Sequence, residues 1–328
     1  MKILLIQSSM EKKMLCLDKA FSTTRQITKQ KPVIEAQSED KFESVLFLPE
    51  GEGRQGEGGL RTQGYFKTSL KDKPLITVIT VVFNGEQYLE ETILSVINQT
   101  YDNIEYVVID GGSTDGTLNI IKKYEDKIDY WVSERDNGIY NAFNKGISLV
   151  MGGFVGIINA DDYYARNAVQ TVVEEHLKNP GIDIFYANMY LYNEKFGEKK
   201  LIRPKSLKEI ENEMCLNHPT CFIKNDLYKV YRFDEKLSLA ADFDLIVYFY
   251  IHSYSFGYID KVFAHMRDSG ASSGYFISAY ETYFVIRKYF GFYKASKVYL
   301  KRIVKKIIKS IVVLIIGEKK WIMMRFRD

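Results

Sequence analysis

Two adjacent carboxylates, Asp161 and Asp162, follow an apolar run that ends in Asn159-Ala160. Two such charges repel each other, so a group of opposite charge is expected to compensate for them. A divalent cation does this, and carboxylate oxygens suit Mg²⁺ or Mn²⁺. Such an ion would bridge phosphate oxygens and neutralise the charge on a departing diphosphate. The alternative is an acidic turn exposed to solvent.

Two further strand ends carry polar, glycine-containing segments. The first is Phe83-Asn84-Gly85-Glu86, and the second is Asp110-Gly111-Gly112-Ser113-Thr114-Asp115-Gly116. Glycines there let the backbone approach a ligand closely, and Asp110 is placed to accept hydrogen bonds from a base or a ribose. Asp110 could instead be an ordinary turn residue, and Asp115 could cap the next helix.

The elements that must position these residues alternate regularly along the chain. Runs rich in β-branched residues predict strands buried on both faces at 76–82, 104–109 and 154–158. The spacing of apolar residues predicts helices at 86–99 and 117–124. This order predicts right-handed crossovers and an α/β fold with a mostly parallel central sheet flanked by helices. Ligands bind such sheets at the carboxyl ends of the strands, where the polar segments lie.

Composition divides the chain into three predicted regions. Residues 1–73 form a polar extension of unknown role, residues 74–275 hold the strand and helix alternation, and residues 276–328 are aromatic and then basic. The three cysteines have neither a disulfide-like nor a zinc-ligand spacing, which suits a reducing compartment. The apolar run at 3–6 is too short for a signal peptide, and no apolar run reaches the length of a transmembrane helix. We expect a cytoplasmic location.

A glycine-rich stretch in the N-terminal region resembles a dinucleotide-binding pattern only in its spacing. Gly51, Gly53 and Gly56 match G-x-G-x-x-G after a possible strand at 45–48. A dinucleotide site requires a helix to open at the third glycine, but Glu57-Gly58-Gly59 is a poor helix start. The stretch therefore predicts a flexible loop.

Residues 298–316 predict a basic amphipathic helix. This pattern suits a helix that lies in the headgroup layer of an anionic membrane, so we expect a peripheral location on the inner face of the cell membrane. The alternative is a helix packed on the domain or on a partner helix. Because the basic excess is confined to the tail and the rest of the chain is acidic, no nucleic-acid partner is expected. The apolar face comprises Leu300, Ile303, Val304, Ile307, Ile308 and Ile311, and the opposite face Lys301, Arg302, Lys305, Lys306 and Lys309.

Residues 75 to about 273 resemble the family 2 glycosyltransferases, which have the GT-A (Rossmann-like) fold. The resemblance is closest to the bacterial exopolysaccharide and capsule branch. It implies transfer of a sugar from a nucleotide-diphospho-sugar, with a UDP-sugar favoured, to a hydroxyl of a sugar or lipid-linked glycan acceptor. The matching segments are 76–84, Gln99-Thr100-Tyr101, 107–116 and Asp136-Asn137-Gly138-Ile139-Tyr140-Asn141-Ala142-Phe143-Asn144-Lys145-Gly146.

The resemblance implies a set of donor-site residues. Asp161 and Asp162 match the D-x-D-type position that holds the metal and the diphosphate. Asn159 stands where the first Asp of that motif is common, which lowers the negative charge of the site. The donor-binding positions are Val82, Asn84, Glu86, Asp110, Ser113, Asn137, Gly138, Tyr140, Asn141, Lys145, Asp161 and Arg267.

The resemblance also implies a general base in the acidic stretch that precedes a helix beginning at Leu245. Such a carboxylate would accept the proton of the acceptor hydroxyl. We favour Asp242, with Asp244 as the alternative, although Asp244 could cap that helix. The family commonly has Glu where Ala241 stands. His218 matches an acceptor-side position, and Arg267 matches a late loop that closes over the diphosphate.

The Gln-x-x-Arg-Trp motif of processive family members is missing, which favours transfer of one sugar per cycle, and we expect this transfer to be inverting. Two alternatives remain open. A sugar nucleotidyltransferase also needs a metal, but it normally has a basic, glycine-rich triphosphate loop, which the segment after the first strand lacks. A catalytically weak, membrane-docked binding subunit is favoured by Asn159 and Ala241.

Overall fold

The computed structural model describes residues 14–34, 37–268 and 275–326. The apolar run at 3–6 and the part of the predicted closing loop beyond Asp268 lie outside the described residues. The strands are β1 (Gly56–Gly58), β2 (Ile76–Val82), β3 (Ile104–Asp110), β4 (Tyr130–Ser133), β5 (Phe154–Asn159), β6 (Tyr163–Tyr164), β7 (Ile184–Asn193), β8 (Glu198–Ile202), β9 (Phe222–Lys224) and β10 (Phe256–Arg267). The α-helices are α1 (Leu89–Ile97), α2 (Thr117–Lys123), α3 (Ile139–Ser148), α4 (Ala168–Lys178), α5 (Asn225–Val230), α6 (Ala241–Ile251), α7 (Tyr275–Phe290), α8 (Phe292–Ile316) and α9 (Glu318–Phe326), and short 3₁₀ helices lie at Ser22–Thr24, Leu207–Glu209 and His218–Thr220.

The described strands form one sheet in the order β1-β4-β3-β2-β5-β9-β7-β10-β6, with β8 paired to β7. The run β4-β3-β2-β5 is parallel, and β7 is parallel to β10. Strand β9 joins these two parallel groups by antiparallel pairing with β5 and β7. The predicted α/β class and the three predicted strands are confirmed.

Burial on both faces explains the composition of the central strands. Every residue of β2 and of β3 is buried. Because side chains alternate across a strand, Ile79 and Val81 enter one hydrophobic core, and Val78 and Val82 enter another. The first core contains α3 and α6, and the second contains α1 and α4. Apolar and β-branched residues suit both environments at once, and they occupy every position of β2 and all positions of β3 except Glu105 and Asp110.

Two predicted helix starts are wrong by about one turn. Helix α1 begins at Leu89 rather than at residue 86, because Gly85 to Tyr88 form a turn in which the Tyr88 N–H donates to the Gly85 carbonyl at 3.2 Å. Helix α6 begins at Ala241 rather than at Leu245, which places Asp244 inside the first turn instead of at the cap. The C-terminal helical region is divided at Gly291, whose φ of +85° favours glycine.

The glycine-rich stretch is not a loop throughout. Residues 56–58 form β1, which pairs antiparallel with β4 at the edge of the sheet. A Cβ atom at Gly58 would lie 2.6 Å from the Trp131 indole nitrogen, so the indole requires glycine at this position. The possible strand at 45–48 does not form, although the Val45 N–H donates to the Ser148 carbonyl at 2.7 Å.

Buried ion pairs attach the N-terminal residues to the central strands. Arg61 pairs with Glu105 of β3 at 2.6 Å, with both side chains almost completely buried. The same guanidinium donates to the carbonyls of Leu46 and Leu149 at 3.0 and 2.8 Å. Lys67, also buried, donates to the Ile104 carbonyl at 2.6 Å. The stretch from residue 61 to residue 67 is therefore part of the packed structure.

The Arg61–Glu105 pair generates a stability prediction. Arg61→Met should lower the free energy of unfolding by about 3–5 kcal/mol, because it leaves the Glu105 carboxylate buried without its cation. Lys73→Met is the matched control, since its 2.9 Å pair with Asp102 is partly exposed and should contribute less than about 1 kcal/mol. Denaturant unfolding followed by circular dichroism measures both. Equal losses in the two variants would contradict the prediction.

Candidate active site

A cleft of about 740 Å³ opens at the carboxyl ends of β2 and β5. Three sequence-distant groups of predicted residues meet there: Val82 at the end of β2 with Asn84 just beyond it, Asp161 and Asp162 after β5, and Asp242 at the start of α6. The lining also contains Gly138, Tyr140 and His218 from the predicted set. The predicted residues outside the lining are Glu86, Asp110, Ser113, Asn137, Asn141, Lys145, Asp244 and Arg267.

The adjacent carboxylates are held in a poorly solvated position. Asp162 is 1% exposed, and its Oδ1 accepts a hydrogen bond from the Arg267 backbone N–H at 3.0 Å. Burial, with a further contribution from the charge of Asp161, raises the pKa of Asp162 to about 8. Burial also raises the pKa of Asp161. Negative charge at this position is therefore costly unless a positive group approaches from the cleft.

The residues at this position fit an oxygen-coordinated divalent cation. The Oδ1 atom of Asn159 is buried and has no hydrogen-bond partner, which is unusual for a buried amide oxygen. Together with Asp161 and Asp162 it supplies the neutral and anionic oxygens that Mg²⁺ or Mn²⁺ prefers. Across the described ranges, no group of three or more His, Cys, Asp and Glu side chains is arranged to hold a metal. A cation here would accordingly depend on Asn159 and on oxygens of a bound ligand.

Asp110 lies outside the cleft lining and supports the loop that follows β2. It is completely buried and accepts hydrogen bonds from the Ser113 N–H at 3.1 Å and the Ser133 hydroxyl at 2.5 Å. The Ser113 hydroxyl also donates to Asp110, and it accepts from the Asn84 N–H at 2.7 Å. Asn84, with φ of +51°, in turn accepts from the Thr114 N–H at 2.8 Å. Asp110 and Ser113 thus order the loop that presents Asn84.

Glu86 joins the same loop to α2. Its Oε2 accepts a hydrogen bond from the Gly116 N–H at 2.6 Å, and its own N–H donates to Asp115 at 3.1 Å. Asp115 also accepts from the N–H of Thr117, the first residue of α2, at 3.0 Å, although the N-cap residue of that helix is Gly116. Glu86 holds the loop together, and its side chain is exposed outside the cleft.

The segment at 136–145 turns two of its predicted side chains away from the cleft. Asn141 donates to Glu235 at 2.9 Å, and Lys145 pairs with Glu134 at 2.7 Å. Asn137 is exposed, and its N–H donates to the Asn141 amide oxygen at 3.2 Å. Gly138, with φ of +109°, and Tyr140 remain in the lining.

The candidate base, Asp242, lines the cleft from the first turn of α6. Its Oδ1 accepts from the Phe243 N–H at 2.8 Å and lies 3.5 Å from the Tyr140 hydroxyl. Burial raises the pKa of Asp242, while the neighbouring His218 opposes this shift. Burial lowers the pKa of His218 itself, and its ring stacks on Phe143 with centroids 5.8 Å apart.

Asp244 occupies a different environment from Asp242. It is 1% exposed and outside the lining, and it accepts hydrogen bonds from Lys288 at 2.8 Å and from Tyr231 at 2.6 Å. Both of its oxygens are therefore used in joining α6 to α7 and to the residue after α5. The geometry favours Asp242 over Asp244 as a group that can reach a substrate.

Arg267 lies at the end of strand β10, not in a loop as predicted. Its guanidinium pairs with Glu91 and, at 2.7 Å, with Glu194, and it donates to the Asp161 carbonyl. It also lies over the Tyr88 ring, 4.2 Å from the centroid. The Arg267 side chain thus holds the backbone at Asp161, the first residue of the carboxylate pair, in place.

Residues 77–236 match the family model for glycosyl transferase family 2. This segment belongs to that family. The chain is 28% identical over 207 residues to an uncharacterized glycosyltransferase of Methanocaldococcus jannaschii, covering 60% of this chain and 71% of the relative. An uncharacterized glycosyltransferase of Rickettsia typhi is 31% identical over 184 residues, which are 52% of this chain and only 57% of that relative.

Solved structures support the GT-A glycosyltransferase fold. The Staphylococcus aureus TarS 1-349 structure in complex with UDP-GlcNAc has a TM-score of 0.54 at 20% identity, covering 70% of this chain and 72% of that one. The mannosyltransferase PcManGT from Pyrobaculum calidifontis, in complex with GDP-Man and Mn²⁺, has a TM-score of 0.51 at 16% identity, covering 77% and 84%. At these identities the likeness concerns the fold.

Several residues that shape the glycosyltransferase cleft were not predicted. Tyr88 and Met266 line it, as do Ser238 and Leu239 just before α6. Tyr88 follows Asn84 by four residues, so the sequence could have indicated an aromatic side chain in the cleft beside the loop that contains Asn84. Met266 adjoins the predicted Arg267, and Ser238 and Leu239 lie shortly before the predicted Asp242, but only the folded sheet brings these segments to the cleft. None of the described helices is both long and apolar enough to pass through a bilayer.

Gly111 generates a prediction about the cleft of this glycosyltransferase. A Cβ atom there would overlap the carboxylate of Asp136, which lines the cleft. Gly111→Ala should therefore displace Asp136 and weaken UDP binding by about tenfold, or about 1.4 kcal/mol. Gly181→Ala is the control, because no atom lies within 4 Å of its added Cβ. Isothermal titration with UDP and Mn²⁺ measures both, and equal affinities would refute the steric argument.

Proposed function

We propose that this glycosyltransferase moves a single sugar from a nucleoside-diphosphate sugar to an acceptor hydroxyl by one inverting displacement. The observation that carries the proposal is the shared cleft, which is lined both by Asp161 and Asp162 after β5 and by Asp242 at the start of α6. Separate acidic groups for the leaving diphosphate and for the attacking hydroxyl are what a single displacement requires. Donor and acceptor would then meet between β5 and α6.

The donor side of the proposal rests on the loops after β2 and β3. Asn84 lines the cleft, while Asp110 and Ser113 hold its loop in place. A UDP-sugar is the favoured donor, in keeping with the resemblance of the sequence motifs. The TarS structure with UDP-GlcNAc supports this choice, although PcManGT holds GDP-Man on the same fold.

Asn159, Asp161 and Asp162 would hold Mn²⁺ or Mg²⁺ against the diphosphate. A bound divalent cation neutralises charge that develops on the leaving diphosphate. The unpartnered oxygen of Asn159 and the raised pKa of Asp162 support a cation site here. Arg267 holds the chain in position through the Asp161 carbonyl and the Asp162 carboxylate. Asn159 in place of Asp leaves the site with one negative charge fewer.

Asp242 is the proposed general base. Its carboxylate would accept the proton of the acceptor hydroxyl as that oxygen attacks the anomeric carbon. Burial raises its pKa, which brings its proton affinity closer to that needed near neutral pH. Tyr140 lies 3.5 Å from Oδ1 and limits the orientation of the carboxylate. His218 lies beside Asp242 on the acceptor side, where it can contact the incoming hydroxyl or its ring.

The acceptor is proposed to be a sugar or lipid-linked glycan in bacterial cell-surface polysaccharide synthesis. Helix α8 supports a location at an anionic membrane. Its apolar residues Leu300, Ile307 and Ile311 are all more than half exposed, and Lys301 and Lys305 are exposed as well. A helix with this distribution lies in the headgroup layer, with cationic side chains near anionic lipid. Transfer of one sugar per cycle is proposed because the processive motif is missing.

Asp242→Asn tests the assignment of the base. It should reduce transfer to the acceptor to background while UDP affinity stays within about twofold of the wild type, because the donor side is untouched. Asp226→Asn is the matched control, since its carboxylate is exposed and lies outside the cleft lining. The assay is release of nucleoside diphosphate from a panel of sugar nucleotides, with Mn²⁺ and with EDTA. Full turnover by Asp242→Asn would remove the base assignment.

The same assay separates the other two functions. Formation of pyrophosphate would identify a sugar nucleotidyltransferase. Donor binding without turnover on any acceptor would identify a binding subunit, which Asn159 and Ala241 favour. Metal-dependent release of nucleoside diphosphate supports the glycosyltransferase.

Helix α8 generates a prediction for membrane binding. The double variant Lys301→Ala/Lys305→Ala should weaken binding to vesicles of phosphatidylglycerol and phosphatidylcholine by about 2 kcal/mol, roughly 30-fold, because each basic residue contributes about 1 kcal/mol. Lys71→Ala/Lys122→Ala removes two exposed lysines elsewhere and serves as the control. Vesicle co-sedimentation measures both. Docking through α8 would be ruled out if the wild type did not bind the vesicles, or if the two double variants bound them equally.

A further inference from the structure

A carboxylate in α7 contacts the segment that leads into α6. Glu281 is only 7% exposed. Its Oε1 accepts a hydrogen bond from the Ser238 N–H at 2.8 Å, and its Oε2 accepts from the N–H groups of Leu239 and Ala240 at 2.7 and 2.9 Å. One buried carboxylate thus fixes three successive peptide groups that are more than forty residues away along the chain.

These three peptide groups directly precede the candidate base. Helix α6 begins at Ala241, and the N-cap residue Ala240 has no side chain that can accept a hydrogen bond from the first turn. Glu281 instead brings a negative charge to the positive end of the helix. Ser238 and Leu239 line the cleft, and Asp242 follows Ala240 by two residues.

A buried cap could act on stability alone, but a second contact already joins the two helices. Lys288, seven residues after Glu281 and on the same face of α7, pairs with Asp244 inside α6 at 2.8 Å. That pair holds the body of α6. Glu281 acts one turn earlier, on the non-helical residues that determine where α6 starts and therefore where Asp242 is directed.

We propose that Glu281 is a positioning residue for the transfer reaction. It fixes residues 238–240 so that the Asp242 carboxylate keeps its distance and orientation toward the acceptor hydroxyl. This inference rests on the proposed function, because Asp242 must act as the base. Glu281 itself lies outside the cleft lining, so its effect on rate is indirect. Misplacement of a reacting group by about 1 Å can lower a rate by on the order of 100-fold.

Two conservative variants test this role. Glu281→Gln keeps the size of the side chain but leaves only one oxygen for three N–H donors, and Glu281→Asp keeps both oxygens on a shorter chain. We expect Glu281→Gln to lower the kcat for release of nucleoside diphosphate from a sugar nucleotide by on the order of 10- to 100-fold. Glu281→Asp should lower the same kcat by a smaller factor. The affinity for UDP should stay within about twofold in both variants, since the donor loops are not touched.

Arg61→Met is the control for lost stability, because its ion pair lies away from the cleft. Its kcat should be retained at a temperature where the protein is folded. The positioning role would be overturned if Glu281→Gln kept the kcat of the wild type. It would also be overturned if Arg61→Met, at an equal loss of stability, lowered kcat as much as Glu281→Gln does. Full activity of Asp242→Asn would instead remove the proposed base, so the two failures are distinguishable.

Discussion

The alignment of strand ends in the parallel part of the sheet is the constraint on which the cleft depends. Val82 is opposite Asp110 in β3, and Val81 is opposite Asn159 in β5. This register brings the segments after β2, β3 and β5 to one edge. A slip of one residue would exchange the two faces of a strand and place its core side chains in the wrong environment. The hydrophobic packing of β2 therefore also fixes the polar groups at its end.

Acidic residues in this protein fall into two groups according to how their oxygens are used. Asp110 and Asp244 are buried and accept hydrogen bonds from hydroxyl, amide or ammonium donors within the fold. Asp161, Asp162 and Asp242 have fewer such partners, have raised pKa values, and line the cleft. Burial without full compensation is expected where a ligand completes the environment. This difference distinguishes acids that hold the fold from acids available to a substrate.

Segments near both ends of the described chain help to hold the sheet and the start of α6 in place. Arg61 and Lys67 anchor the N-terminal residues to β3 by buried polar contacts. Near the other end, α7 packs Val285 and Ile286 into the core and holds α6 through Glu281 and Lys288. Helix α8, which carries the exposed apolar side chains, follows α7 directly. The candidate base is thus supported by the helix that precedes the one proposed to meet the membrane.

Much of the architecture could be predicted because its signals are local. The β-branched runs at 76–82, 104–109 and 154–158 are typical of strands buried on both faces, and they locate β2, β3 and β5 within a residue. The acidic pair after β5 could be recognised for the same reason, since it directly follows one of these runs. Short antiparallel strands such as β1 and β9 lack a comparable run, and their pairing depends on what the tertiary structure places beside them.

The sequence by itself therefore determined the α/β class, the strand ends and the identity of the acidic side chains, since propensity and periodicity act over a few neighbouring residues. Only the tertiary structure decided which acid faces the cleft. Asp242 and Asp244 lie two residues apart on one helix, about 200° around its axis, and Lys288 and Tyr231 accompany only Asp244. Such long-range partners set the burial and the hydrogen bonds of each carboxylate, and no local pattern records them.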